Sequence, residues 1–224
     1  MTPARHNIRL VCFDWGGVIL RICRSWAQGC EHAGLDLRGD LGPRPFANER
    51  KGHAELFQLG RLKPDEFFRR VSETMGGLYS PDEVERVHHA WLIGEYPGAG
   101  RLIDDLHAAG HATALLSNTN HAHWVRQQPS TDSTGRLLPH FPAAAALTHR
   151  LASHTLGLAK PDPRIYESLE RSTGLRPHQI LFFDDLPENT AAAADRGWLT
   201  FTVDHTGDTA SEMRTHLRSL GLLP

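Results

Sequence analysis

The sequence predicts an α/β fold: a doubly wound parallel sheet of Rossmann-like type with an inserted helical cap. Three observations predict it. After Pro97-Gly98, short apolar runs alternate with helical stretches, the pattern of βαβ units whose parallel sheet is covered on both faces. Before that point, roughly 70 residues (24–95) carry helix signals and no comparable strand. Several of the apolar runs also end in an acid or a hydroxyl, and a parallel sheet brings the carboxyl ends of its strands to one crevice.

The elements follow in order. Residues 8–14 read as a buried strand, a short β-branched and aromatic run soon followed by Gly16-Gly17. In the helical block, Lys63-Pro64-Asp65-Glu66 opens a helix before Phe67-Phe68, and Ser80-Pro81-Asp82-Glu83 opens another before Val84, Val87 and Trp91. Ser80 as N-cap with Glu83 three residues on is a capping box, and Pro81 fits the first helical position. A helix over 99–109 breaks at Gly110, a strand covers 111–117, and a further helix starts near Asn120. The turn-rich residues 127–142 are expected as a loop. A strand at 149–153, a helix at 163–173, a strand at 180–184, a helix through 191–194 and a strand at 198–203 complete the sheet. The expected division is a core of residues 1–20 and 96–224 with a cap of residues 21–95.

Composition narrows the function classes. The chain has 224 residues, 40% hydrophobic and 22% charged, enough for one α/β core with a smaller insertion. A net charge of −2 offers no electrostatic case for nucleic acid or an anionic membrane. Cys12, Cys23 and Cys30 have no metal-ligand spacing and suit a reducing compartment. Residues 1–7 run directly into the first strand without a secretory apolar segment, and no run approaches a membrane span, so a cytoplasmic protein is expected. The fifteen histidines read as solvated surface residues. His88-His89 are neighbours that cannot share a helix face, and Gly110 separates His107 from His111; His121 and His123, just after a site loop, are the two placed to approach a substrate.

Four places carry chemistry. Asp14 ends the first strand with glycines freeing the turn after it; a carboxylate there can attack phosphorus or ligate Mg²⁺, or simply cap a turn. Ser117 and Asn118 offer a hydroxyl and backbone N–H groups suited to phosphate oxygens, or a helix cap. Lys160 is held extended by Pro161 and can neutralise a carboxylate and a transferring phosphoryl group. Asp184-Asp185 closes an apolar strand, and adjacent carboxylates repel unless a cation intervenes. Asn189 lies four residues beyond Asp185.

Taken together, Asp14 followed by Gly-Gly, Leu-Ser-Asn-Thr-Asn (116–120), Leu-Gly-Leu-Ala-Lys-Pro-Asp-Pro-Arg-Ile-Tyr (156–166) and Phe-Phe-Asp-Asp (182–185) resemble the haloacid dehalogenase superfamily, subfamily IA. The likeness covers nearly the whole chain and is nearest to the branch of α-D-glucose-1-phosphatases and the phosphatase domain of soluble epoxide hydrolase. It implies a Mg²⁺-dependent phosphatase acting on a small, sugar-phosphate-like phosphomonoester through an aspartyl-phosphate intermediate. By that resemblance Asp14 is the nucleophile, Ser117 and Asn118 bind the phosphoryl group and Lys160 steadies it. Asp14, Asp185 and the carbonyl of Gly16 would hold Mg²⁺, with Asp184 as an occasional ligand. The implied partner is a small phosphorylated metabolite, with no nucleic acid or membrane; oligomeric state is left open.

One departure stands out. Most phosphatases of the superfamily have a second aspartate two residues after the nucleophile as acid and base, and Gly16 stands there. General acid catalysis typically contributes about 10²–10⁴-fold, so substrates with good leaving groups are expected to suffer least. Two alternatives accompany the phosphatase reading: a catalytically degenerate binding or regulatory module, and a haloacid dehalogenase. Specificity is expected from the cap around residues 46–62, where Phe57 and Arg61 either face the site or pack helices, with packing favoured for Phe57.

Overall fold

The structure, a computed structural model, describes residues 7–39 and 44–224, with side chains in the second segment from residue 48 onward. Phe46, the first residue of the expected specificity region, lies outside the described side chains. In chain order the strands are β1 (Leu10–Phe13), β2 (Leu20–Ile22), β3 (Leu92–Glu95), β4 (Ala112–Ser117), β5 (Ser130–Thr131), β6 (Leu137–Leu138), β7 (His149–Ala152), β8 (Ile180–Asp184) and β9 (Leu199–Thr202). The helices are α1 (Trp26–Ala33), α2 (Arg44–Gln58), α3 (Pro64–Thr74), α4 (Pro81–Ala90), α5 (Ala99–Ala108), α6 (His121–Trp124), α7 (Pro142–Ala145), α8 (Ser153–Leu156), α9 (Pro163–Thr173), α10 (Pro187–Asp195) and α11 (Thr209–Ser219).

The central sheet has five strands in the order β7-β4-β1-β8-β9, every neighbouring pair parallel. Side chains alternate across it, as the pleat requires. Val11, Phe13, Leu115, Leu181 and Phe183 pack with Leu102, Ile103 and Leu106 of α5 and Met213 and Leu217 of α11 on one face. Leu10, Cys12, Leu116, Ile180 and Phe182 pack with Ile165, Tyr166 and Leu169 of α9 on the other. Both faces are thus covered. From β1 the chain crosses to β4 and β7 on one side and then to β8 and β9 on the other, so the strand order reverses around β1, where ligands of open α/β folds bind. Among the described residues no helix is long and apolar enough to cross a membrane.

Helices α1–α4 enclose an apolar cluster of their own, with Phe57, Phe67, Phe68, Val71, Tyr79, Val84 and Val87 at its centre. The capping box forms at α4: Ser80 Oγ accepts from Glu83 N, and Glu83 accepts from Ser80 N.

Several elements differ from expectation. Residues 24–95 are not wholly helical, because β3 pairs antiparallel with β2. Its Leu-Ile-Gly-Glu has no alternation or β-branched run to announce a strand, and tertiary pairing decides its conformation. Both expected cap boundaries, at 20/21 and 95/96, fall at this ribbon. Within the expected loop 127–142, β5 and β6 form a small hairpin whose turn is tied by Asp132 Oδ1 accepting from the backbone N–H groups of Thr134 and Arg136. The terminal helix α11 was not foreseen; Asp208 caps it by accepting from Ser211 N.

The histidines require a correction. His88 of α4 and His123 of α6 are not solvated: their rings stack at 3.8 Å between centroids and 12° between planes, joining cap to core. His123 Nε2 donates to His88 O (2.8 Å), and His88 Nε2 lies 3.2 Å from Asn120 Oδ1. Burial is the main cause that lowers both, His123 to about 3 and His88 well below the usual imidazole value, so the stack is neutral at physiological pH. His88 follows Val84 by one helical turn on the apolar stripe of α4, a spacing that does mark it as inward-facing.

A pH dependence follows. Below about pH 6.5 the unfolded chain takes up protons that the stacked rings refuse, so stability falls with acidification. Urea unfolding between pH ~7 and ~5 should show a loss approaching about 1.4 kcal/mol per pH unit for each histidine. His88→Phe should remove one histidine's share of that slope.

Candidate active site

Asp14 follows the end of β1, and its backbone N–H donates to Phe183 O of β8 (2.8 Å), fixing the two strand ends side by side. The Lys160 ammonium lies between two carboxylates, 2.6 Å from Asp184 Oδ2 and 2.9 Å from Asp14 Oδ1. Its side chain is fully buried and stands 5.3 Å from the centroid of the Phe182 ring. The two contacts are not equivalent. Toward Asp184 the geometry is that of a hydrogen bond, whereas Asp14 Oδ1 is close in distance but has no aligned hydrogen-bond donor. Burial raises Asp14 above the ordinary aspartate range, an effect that Lys160 only partly offsets. For Lys160 burial pulls downward, but Asp14 and Asp184 outweigh it and hold the ammonium charged, above the usual lysine value.

The expected phosphate-binding residues sit beside this ion group. Asn118 grips the Lys160 backbone twice: its Nδ2 donates to Lys160 O and its Oδ1 accepts from Lys160 N, both at 2.8 Å. The Asn118 side-chain amide therefore positions the lysine loop, whose Lys160-Pro161 peptide is cis. Ser117, the last residue of β4, is buried next to it. Asp184 is wholly buried and fully engaged: Oδ1 accepts from Leu186 N (2.9 Å), and Asn189 Nδ2 lies 3.0 and 3.1 Å from its two oxygens.

Asp185 has another partner, Arg24, whose Nη2 lies 2.8 Å from Asp185 Oδ2. Gly17 makes this close approach possible. Its φ of 89° lies in the left-handed region, and a Cβ there would collide with both Asp185 Oδ2 and Arg24 Nη2. Gly16 is different, because its backbone is not left-handed. A Cβ there would stand 3.0 Å from Ile22 Cδ1, so the end of the β2 isoleucine side chain must give by a few tenths of an ångström to admit a side chain at position 16.

Oxygens of Asp14, Asp184 and Asp185 lie within 4.8 Å of one another, all buried. Three carboxylates face the two cations Lys160 and Arg24, leaving one negative charge, and Asp14 Oδ1 lacks a hydrogen bond. A hard divalent cation with oxygen ligands fits that set. With both Asp184 oxygens taken by donors, Asp14 and Asp185 are the carboxylates better placed to hold it.

Residues not expected in the site complete it. Arg24 had no signal in the sequence beyond being one basic residue among 24. Ser153, buried just past β7, accepts from Thr119 N (2.9 Å) and donates to Gln58 O at the end of α2 (2.6 Å), tying the cap to the loop after β4. Of the two expected cap residues, Phe57 does both jobs: it stacks on Phe67 at 4.4 Å and lines the cavity next to the site. Arg61 is exposed and does not line that cavity.

Lys160→Met would leave Asp14 and Asp184 facing each other without compensation. A loss of about 3–5 kcal/mol at neutral pH is expected from removing one partner of a buried ion group. That deficit should shrink as pH falls toward ~4, because protonation of Asp14, already raised by burial, relieves it. Unfolding by urea across that range measures both.

Comparison with known proteins agrees with this geometry. The model of the haloacid dehalogenase-like hydrolase family matches residues 8–197. A D-ribitol-5-phosphate phosphatase of Bacteroides thetaiotaomicron is 28% identical over 218 residues, covering 95% of this chain and 100% of that protein. Bifunctional epoxide hydrolase 2 of Sus scrofa is 29% identical over 227 residues, covering 91% of this chain but 37% of that longer protein. Among solved structures, a family enzyme of Bacteroides thetaiotaomicron in complex with magnesium and inorganic phosphate superposes with a TM-score of 0.70 at 23% identity, covering 92% of this chain and 100% of that one. With the family model spanning most of its length and the sheet, cap and acid cluster in place, the chain belongs to the haloacid dehalogenase-like hydrolases.

Proposed function

We propose that the protein is a Mg²⁺-dependent phosphatase that hydrolyses a small phosphomonoester through an aspartyl-phosphate on Asp14. One observation carries the reading: Asp14 Oδ1 is buried and stands 2.9 Å from the Lys160 ammonium, at the switch point of the sheet. A carboxylate oxygen in that state is free to attack phosphorus. The attack forms the Asp14 Oδ–P bond and breaks the ester P–O bond, releasing the alcohol oxygen. Water then attacks the acyl phosphate, frees inorganic phosphate and restores Asp14.

Lys160 counters charge on the transferring group and on Asp14, held there by the two Asn118 hydrogen bonds. Asp184 and Asn189 keep the ammonium in place. Ser117 and the loop after β4 face the phosphoryl oxygens. Asp14, Asp185 and the Gly16 carbonyl would hold the Mg²⁺, with Asp184 behind them; when bound, the ion neutralises phosphoryl oxygens in the transition state. The Bacteroides relative named for D-ribitol 5-phosphate supports a small phosphorylated metabolite, and sugar phosphates are the first class to try. Ile22 in the space beside Gly16 supports a site without a proton donor there, suited to leaving groups that depart unassisted.

Two measurements test this. Turnover of 4-nitrophenyl phosphate, glucose 1-phosphate and ribitol 5-phosphate should require Mg²⁺, stop with EDTA, and vanish in Asp14→Asn. No turnover by the wild type despite Mg²⁺ binding would instead favour a binding module. In the second, Gly16→Asp alone should gain little on alkyl phosphates, whereas Gly16→Asp with Ile22→Ala should gain about tenfold or more, a fraction of what a general acid contributes. Equal rates for the two variants would show that Ile22 is not the obstacle.

A further inference from the structure

Between cap and core lies a cavity of about 570 Å³, a volume within the range that holds drug-sized ligands. At its core end are Asn118 and Thr119, and Arg24 reaches both the cavity and Asp185. Its body is aromatic, with Trp26, Phe57, Phe67 and Trp91 among the lining. The stacked His88 and His123 add flat, neutral surface. Among the described residues the lining contains no carboxylate at all.

Arg50 of α2 lines the same cavity. Its guanidinium lies 5.4 Å from the centroid of the Trp26 ring, and its Nε is buried without a hydrogen-bond partner. No carboxylate among the described residues pairs with it, and burial lowers it below the usual arginine value. A half-buried guanidinium with an unused Nε donor beside aromatic walls suits an anion, since a buried donor left without a partner is costly. A linear polyol would leave the apolar faces of Trp26, Phe57, Phe67 and Trp91 without a partner, although Ser25, Gln58, Asn118 and Asn120 of the same lining can bond hydroxyls.

Resting on the phosphatase reading, the geometry points to a narrower substrate class: phosphomonoesters of ring-bearing organic acids. The phosphoryl group would sit at Asp14, the ring between Trp26 and Trp91, and the second anion on Arg50. Arg50 is then the specificity-determining residue, outside the chemistry itself.

The test compares 4-carboxyphenyl phosphate with phenyl phosphate and ribitol 5-phosphate, with Mg²⁺ present. The wild type should favour the carboxylated ester by about tenfold to a hundredfold in kcat/KM, the scale of one hydrogen bond to a charged group. Arg50→Met should abolish that preference and Arg50→Lys keep part of it. Because a phenol bearing a carboxylate also leaves more readily, calorimetric binding of 4-carboxyphenylphosphonate and phenylphosphonate to the wild type is measured in parallel. Tighter binding of the carboxylated phosphonate, weakened by Arg50→Met, supports the assignment. Equal binding of the two phosphonates, or a preference for ribitol 5-phosphate, overturns it. If no phosphate ester is turned over but the carboxylated phosphonate still binds more tightly, the phosphatase reading fails and the cavity assignment stands.

Discussion

The site is organised around one buried ammonium. Lys160 Nζ lies within 3 Å of Asp14 from β1 and Asp184 from β8, while Asn118 from the end of β4 holds its backbone. Taking such ions out of water costs several kcal/mol each, and only near-complete pairing offsets it. The structure supplies that pairing unevenly. Asp184 receives donors from Lys160, Asn189 and Leu186, and Asn189 in turn gives its carbonyl to the Tyr166 hydroxyl (2.9 Å). Asp14 receives the charge without an aligned hydrogen bond. The carboxylate of Asp184 thus fixes the lysine, while that of Asp14 is held more loosely.

A second constraint lies at position 16. Apolar packing has taken the place of a polar group: Ile22 occupies the room beside Gly16, and the neighbouring Gly17 lets Asp185 and Arg24 close over the turn. The same short stretch thus packs an isoleucine on one side and an ion pair on the other.

Much of this was legible in the sequence because a parallel sheet obeys strict rules. The runs 180–184 and 163–173 coincide with β8 and α9, since their apolar periodicity and flanking Pro and Gly leave little choice. Asp14, Ser117 and Asp184-Asp185 converge because strand ends must, and the loop carrying Lys160 reaches the same crevice. What was not legible depends on contacts between distant segments. The Leu92–Glu95 strand exists through Leu20–Ile22, and Arg24 is distinguished only by a carboxylate 161 residues away. Nothing local shows that the Asn118 side-chain amide holds the Lys160 backbone. His88 was missed for another reason: counting histidines hid the helical register that turns this one inward.

Arg24 stands just ahead of α1, on the path into the cap, whereas Asp185 belongs to the core. The positive charge over the acid cluster is therefore carried on the segment that leads into the cap. With the cap seated as here, the side chain of Asp185 is almost wholly buried and its charge is answered. A swing of the cap would withdraw that answer and deepen the negative potential above Asp14, drawing in any mobile cation. Reciprocity then requires that a cation settling there should loosen the cap's hold by the same free energy. Cap position and ion occupancy would then be two readings of a single equilibrium.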